Sequence, residues 1–161
     1  MTVVRLLVVT FLCLLSAVLP AETYMGLSGE LMLPQGGGDM RRLGGAALRV
    51  GRYLGEDGVW ALEGSVASLE DKAGLAAGAL WHWHGCDEFD KLFGYERLDP
   101  FFTFGVKGWL ADGDIGPYAG LGALYYLSDS WALRLDADFA LGLERRPEAV
   151  FSLAAGLQFS F

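Results

Sequence analysis

The stretch Val150-Phe151-Ser152-Leu153-Ala154-Ala155-Gly156-Leu157-Gln158-Phe159-Ser160-Phe161 decides the fold. One alternating set reads Phe151, Leu153, Ala155, Leu157, Phe159 and Phe161; the other reads Val150, Ser152, Ala154, Gly156, Gln158 and Ser160. Side chains of a strand point to opposite faces with a period of two, so this is one long strand with an apolar face and a small or polar one. The pattern recurs backwards along the chain over Trp131–Leu141, Pro117–Leu127, Phe101–Leu110, Ala73–His84, Val59–Ser68, Leu43–Leu54 and Tyr24–Leu33. Each segment is roughly ten residues long, the length a tilted strand needs to cross a bilayer. Glycine recurs inside these segments, where each would cost a helix about 1 kcal/mol.

Outside the alternating region, Arg5 precedes an apolar run from Leu6 to Leu19 that ends at Leu19-Pro20-Ala21. The run is too short for a membrane anchor and ends in a small residue, which predicts a secretory signal peptide over residues 1–21. Cys13 lies mid-run without the small neighbour a lipoprotein signal needs. Residues 22–161 are then a single β-barrel domain that keeps one cysteine, Cys86, and so no internal disulfide. The chain has 20 acids against 12 bases, a formal charge of −8, and a mean hydropathy of +0.33. That balance argues against nucleic acid as a partner and gives no overall attraction to anionic headgroups.

Alternation alone also fits a soluble barrel; charge placement separates the two. Only Glu30, Glu63, Asp136 and Asp138 of the acids fall inside the segments, and the non-apolar face is mostly Gly, Ala and Ser. Such a face suits the crowded interior of a narrow barrel, so the apolar face points to lipid. With the first strand starting in the periplasm, outward Trp60, Trp81, Trp83, Phe102, Tyr125, Trp131, Phe159 and Phe161 gather at one rim, as an interfacial aromatic belt does. The fold class is therefore all-β: an eight-stranded antiparallel up-and-down transmembrane β-barrel.

Gly116-Pro117-Tyr118-Ala119-Gly120-Leu121-Gly122-Ala123, with Leu127-Ser128-Asp129-Ser130-Trp131 and Leu133-Arg134-Leu135-Asp136, resembles the penultimate hairpin of small outer-membrane barrels of the OmpA/OmpX type. The ending through Phe159 and Phe161 is similar to their terminal assembly signal. The resemblance implies a meander with both termini in the periplasm, a location in the outer membrane, and outer-membrane lipid as surroundings. It also implies the barrel-assembly machinery and periplasmic chaperones as partners during biogenesis, and a monomer. Two features depart from the family: short outer loops (34–42, 69–72, 111–116, 142–148) and a long connection, Gly85 to Asp99, on the periplasmic side.

Inside, parity collects Glu30, Arg49, Glu63, Lys107, Arg134, Asp136 and Asp138, four acids and three bases. Buried charges persist when paired, so these seven predict a lumen ion-pair network. His82, His84 and Cys86 share a face at a spacing of two and form a weak metal candidate. Their blander reading is rim-facing polar groups, and no metal or other cofactor is expected. No catalytic residue is expected either: both histidines face inward at the periplasmic rim, and the outer serines have no base beside them. Gly36-Gly37-Gly38 lacks the following Lys-Ser/Thr of a phosphate loop. The sequence thus predicts a non-enzymatic integral barrel with a structural or surface-interaction role; a minor porin and an adhesin or surface receptor are the alternatives.

Overall fold

A computed structural model describes residues 23–35, 43–55, 58–69, 72–83, 97–109, 114–141 and 149–161. The predicted signal peptide, Gly36 to Gly38, His84, Cys86 and most of the 85–99 and 142–148 connections lie outside the described residues. Eight strands follow one another in chain order: β1 Thr23–Gln35, β2 Leu43–Leu54, β3 Trp60–Leu69, β4 Lys72–His82, β5 Leu98–Trp109, β6 Asp114–Tyr126, β7 Trp131–Leu141 and β8 Ala149–Ser160. Each pairs antiparallel with the next, and β8 pairs with β1 to close the barrel. Closure leaves no open sheet edge, which lipid could not hydrogen-bond.

The register fixes the shape. Facing residues lead from His82 on β4 through Phe101, Gly122, Asp136, Ala154, Glu30, Gly45 and Leu69 back to β4 at Lys72. One circuit therefore advances the register by ten residues, from 82 to 72. With a strand rise of about 3.3 Å and a strand spacing of about 4.8 Å, that stagger tilts the strands by roughly 40° and gives a backbone radius of about 8 Å. Such a lumen has room for side chains and little else.

Several strands extend beyond the bounds read from the sequence. β1 runs through Pro34 to Gln35, β6 begins at Asp114, and β5 begins at Leu98. The last difference changes the chemistry, because Asp99, expected in a loop, lies buried on the inner face at 2% exposure. Pro100 reads as a breaker, yet its carbonyl accepts the Trp83 amide at 2.8 Å, and the N–H it lacks is no obstacle at the first residues of a strand. The turn between β2 and β3 uses Gly55 and Gly58, both with positive φ. Between β6 and β7, Leu127 donates its amide to the Trp131 carbonyl at 2.8 Å, and Ser128 Oγ accepts the Trp131 amide at 3.2 Å.

Candidate functional site

The lumen is filled in layers. Nearest the termini, Tyr24, Ala61, Leu80, Phe101, Leu124 and Ala132 form a buried apolar cluster, with Tyr53 and Tyr126 against it. Toward the opposite end, Met32, Ala47 and Ala67 form a second cluster with Val150. Arg49, Glu63, Arg134 and Asp136 lie between them, and Glu30, Lys107 and Asp138 lie level with the second cluster.

Inward glycines make room for the rings. Gly51 sits opposite Tyr24, and a Cβ on it would fall 2.1 Å from that ring. Gly122 stands in the same relation to Phe101, at 2.3 Å. Tyr118 lies opposite Gly105 and extends across it to Gly78, where a Cβ would meet its hydroxyl at 2.3 Å. Each ring thus lies flat over a neighbouring strand that has no side chain at that position.

All seven residues of the expected network face the lumen, in two cells. In the first, Arg134 on β7 donates to both Asp136 and Glu63: Nη2 reaches Asp136 Oδ1 at 2.9 Å and Glu63 Oε1 at 3.1 Å, while Nη1 bonds Glu63 Oε2. Nη1 also donates to Gln158 Oε1 at 3.2 Å, and the guanidinium stacks 4.9 Å from the centre of the Phe101 ring. Arg49 closes the cell, 3.4 Å from Asp136 and 3.7 Å from Glu63, and donates to Ser28 Oγ at 2.6 Å. Tyr24 donates to Glu63 at 2.9 Å. Two guanidinium groups therefore meet two carboxylates, with each carboxylate held by more than one donor. In the second cell Lys107 on β5 donates to Glu30 at 3.0 Å, Asp138 at 3.2 Å and Ser152 at 3.1 Å. These bonds join β5 to β1, β7 and β8, with partners 31 to 77 positions from Lys107.

His82 corrects the expectation of a rim-facing polar group. It is 2% exposed inside the barrel, with Nδ1 2.8 Å from Asp99 Oδ2 and its ring between Tyr53 and Phe101, both at 5.3 Å. Tyr126 donates to the same Asp99 oxygen at 3.3 Å. The partner was hidden because Asp99 precedes a proline and reads as a turn residue. Among the described residues no three His, Cys, Asp or Glu side chains are placed to hold a metal. Ser28, Ser152, Gln158 and Tyr24 also belong to the site; parity marks them as inward, but their partners depend on the register between strands.

The outward face is the converse. Leu27, Leu121 and Leu135 are exposed by 60% or more, and Trp60, Trp81, Phe102, Tyr125, Trp131 and Phe161 are exposed around one rim. Trp81 stacks on Trp83 and Phe102 at 6.3 and 5.8 Å, and Phe159 packs on Trp131 and Phe161 at 4.9 and 5.0 Å.

Solved structures share this arrangement of strands. Neisserial surface protein A superposes with a TM-score of 0.68 at 8% identity, over 88% of this chain and 98% of that one. The fold is that of the small OmpA/OmpX-type membrane barrels. The outer membrane protein OprG from Pseudomonas aeruginosa gives 0.60 at 10% identity over 88% and 96% of the two chains. A de novo designed transmembrane β-barrel gives 0.60 at 16% identity over 89% and 98%. No protein-family model matches the sequence, and no curated protein matches it. At these identities the likeness defines the barrel, while the lumen network is described by this chain's own side chains.

Proposed function

We propose that the chain is exported by its first 21 residues and serves as an integral, monomeric outer-membrane barrel with a non-catalytic, structural or surface-interaction role. The observation that carries this reading is the partition of charge. Among the described strand side chains the outward face holds a single charged group, Arg52, whereas Glu30, Arg49, Glu63, Lys107, Arg134, Asp136 and Asp138 are turned inward. A soluble barrel with this surface would expose an apolar band far larger than water tolerates; in lipid the same band is required. The lumen reads as a plug, because charges are paired across the barrel and two apolar clusters fill space beside them. Lipid surrounds it, and the barrel-assembly machinery and periplasmic chaperones handle it before insertion.

Two measurements test the proposal. The protein should fractionate with outer membranes and migrate faster unheated than boiled on a gel; recovery in the soluble periplasmic fraction would refute the membrane reading. In planar bilayers it should show no steady conductance. Steady conductance that disappears on reversing the charge at Lys107 or Arg134 would replace the plug with a narrow pore.

A further inference from the structure

Among the described strand side chains, Arg52 is the exception on the outward face. It lies on β2 between inward Gly51 and Tyr53 and is exposed, with Thr23 of β1 and Leu62 of β3 as its backbone partners. Its height follows from the register and the tilt. Along the barrel axis its Cα lies within about 5 Å of those of Trp60, Trp81, Phe102, Tyr125, Trp131 and Phe159, one from each of β3 to β8. At that height β1 carries the buried Thr23 and the half-buried Met25, and β2 carries the exposed Arg52. The aromatic girdle is therefore broken at two adjacent strands, and the break holds a cation. Trp60 flanks it on β3, and Phe161 flanks it on the other side, its amide bonded to the Thr23 carbonyl at 2.9 Å.

A girdle of this kind marks the headgroup level of a bilayer. An arginine there neither suffers the cost of the hydrocarbon centre nor faces plain water; it faces phosphate. Its planar fork matches two phosphate oxygens with two parallel N–H bonds. The chain's net charge of −8 supplies no long-range attraction, so recognition would be local to this break.

We propose that Arg52 and the girdle break beside it bind the phosphodiester headgroup of one phospholipid in the leaflet nearest the termini, with Trp60 and Phe161 flanking that headgroup. The proposal rests on the membrane reading above. It is tested on the full barrel in a phosphate-free maltoside detergent, by native mass spectrometry with phosphatidylglycerol, with a diacylglycerol of the same chains, and with inorganic phosphate alone. Arg52→Gln should lower retention of the first phosphatidylglycerol at least fivefold and leave diacylglycerol retention unchanged. Arg52→Lys, which keeps charge but loses the fork, should lie between Arg52→Gln and wild type; should Arg52→Gln not fold, a drop of about twofold in Arg52→Lys decides the matter. Equal phosphatidylglycerol retention in wild type and variants overturns the site, and so does wild-type retention of inorganic phosphate as strong as that of the lipid. A faster-migrating unheated band in every variant shows that such a failure leaves the barrel reading standing.

Discussion

Arg134→Met removes the cation that Glu63 and Asp136 share, at nearly constant volume. Arg49 would then be the remaining guanidinium for both carboxylates, at 3.7 and 3.4 Å. Deleting one member of a buried ion pair costs about 3–5 kcal/mol, because the other charge stays buried without its partner. The lost stacking on Phe101 is partly replaced by a sulfur–ring contact. Glu63→Leu alone should cost a similar amount, leaving two guanidiniums against Asp136. The double variant is different: Arg49 and Asp136 remain as a balanced pair, and the main residual loss is the Tyr24 hydroxyl's acceptor, about 1–3 kcal/mol. It should therefore be more stable than either single variant, with a coupling of several kcal/mol. Reversible urea unfolding of barrels refolded into lipid vesicles, followed by tryptophan fluorescence and gel mobility, measures all four species. A single-variant cost below about 1 kcal/mol, or a double variant as poor as the sum of the singles, would refute the shared-cation account.

Gly51→Ala places a methyl against the Tyr24 ring and should destabilise the barrel by about 1–3 kcal/mol in the same assay, with much of the loss recovered in Gly51→Ala/Tyr24→Leu. Leu121, 60% exposed on the outward face, should lose about 2–4 kcal/mol as Leu121→Arg in vesicles, whereas Leu54→Arg at the girdle level should lose about 0–1; equal losses would mean that the outward face does not sense depth in a bilayer. Removing Phe161, whose ring packs edge-on against Phe159 at 5.0 Å, should lower the yield of assembled barrel in cells without lowering export, and normal yields would dismiss the terminal-signal reading.

The alternation of β8 and β7 is legible because each strand is long and, Ala154-Ala155 apart, its two faces differ residue by residue. Parity along one strand is local information, and it was enough to turn all seven charged residues inward. What it could not supply was pairing between strands. That Gly51 lies opposite Tyr24, or that Lys107 meets Glu30 across 77 positions, depends on a ten-residue stagger that no single segment encodes. Asp99 shows the second limit. Next to Pro100 it has the composition of a turn, and only pairing with β6 through Leu124 shows it to be a strand residue facing His82. Reading the turn one way placed His82 at a rim; extending β5 by three residues, from Phe101 back to Leu98, places it in the core.

The inside of this barrel has to supply the specificity that the outside cannot. Lipid chains are as apolar as Leu27 or Leu121, so once the chain is in a bilayer those side chains gain little by facing lipid in one register rather than another. A slip of one residue would exchange the faces and bury the leucines against the charges, which the bilayer forbids. A slip of two residues keeps every face correct, and hydrophobic matching alone would tolerate it. The lumen contacts do not. Moving β1 by two residues relative to β2 takes Tyr24 off Gly51 and puts its ring against an inward side chain, Arg49 or Tyr53. The same shift parts Arg49 from Ser28, and a shift of β7 parts Arg134 from Glu63. Each loss leaves a buried donor or charge without its partner, at about 1–3 kcal/mol for a polar group and more for an ion. Ring-over-glycine packing and the two ionic cells therefore act as a register lock. This accounts for why a narrow lumen carries arginine, lysine and four carboxylates where an apolar filling would have closed it equally well.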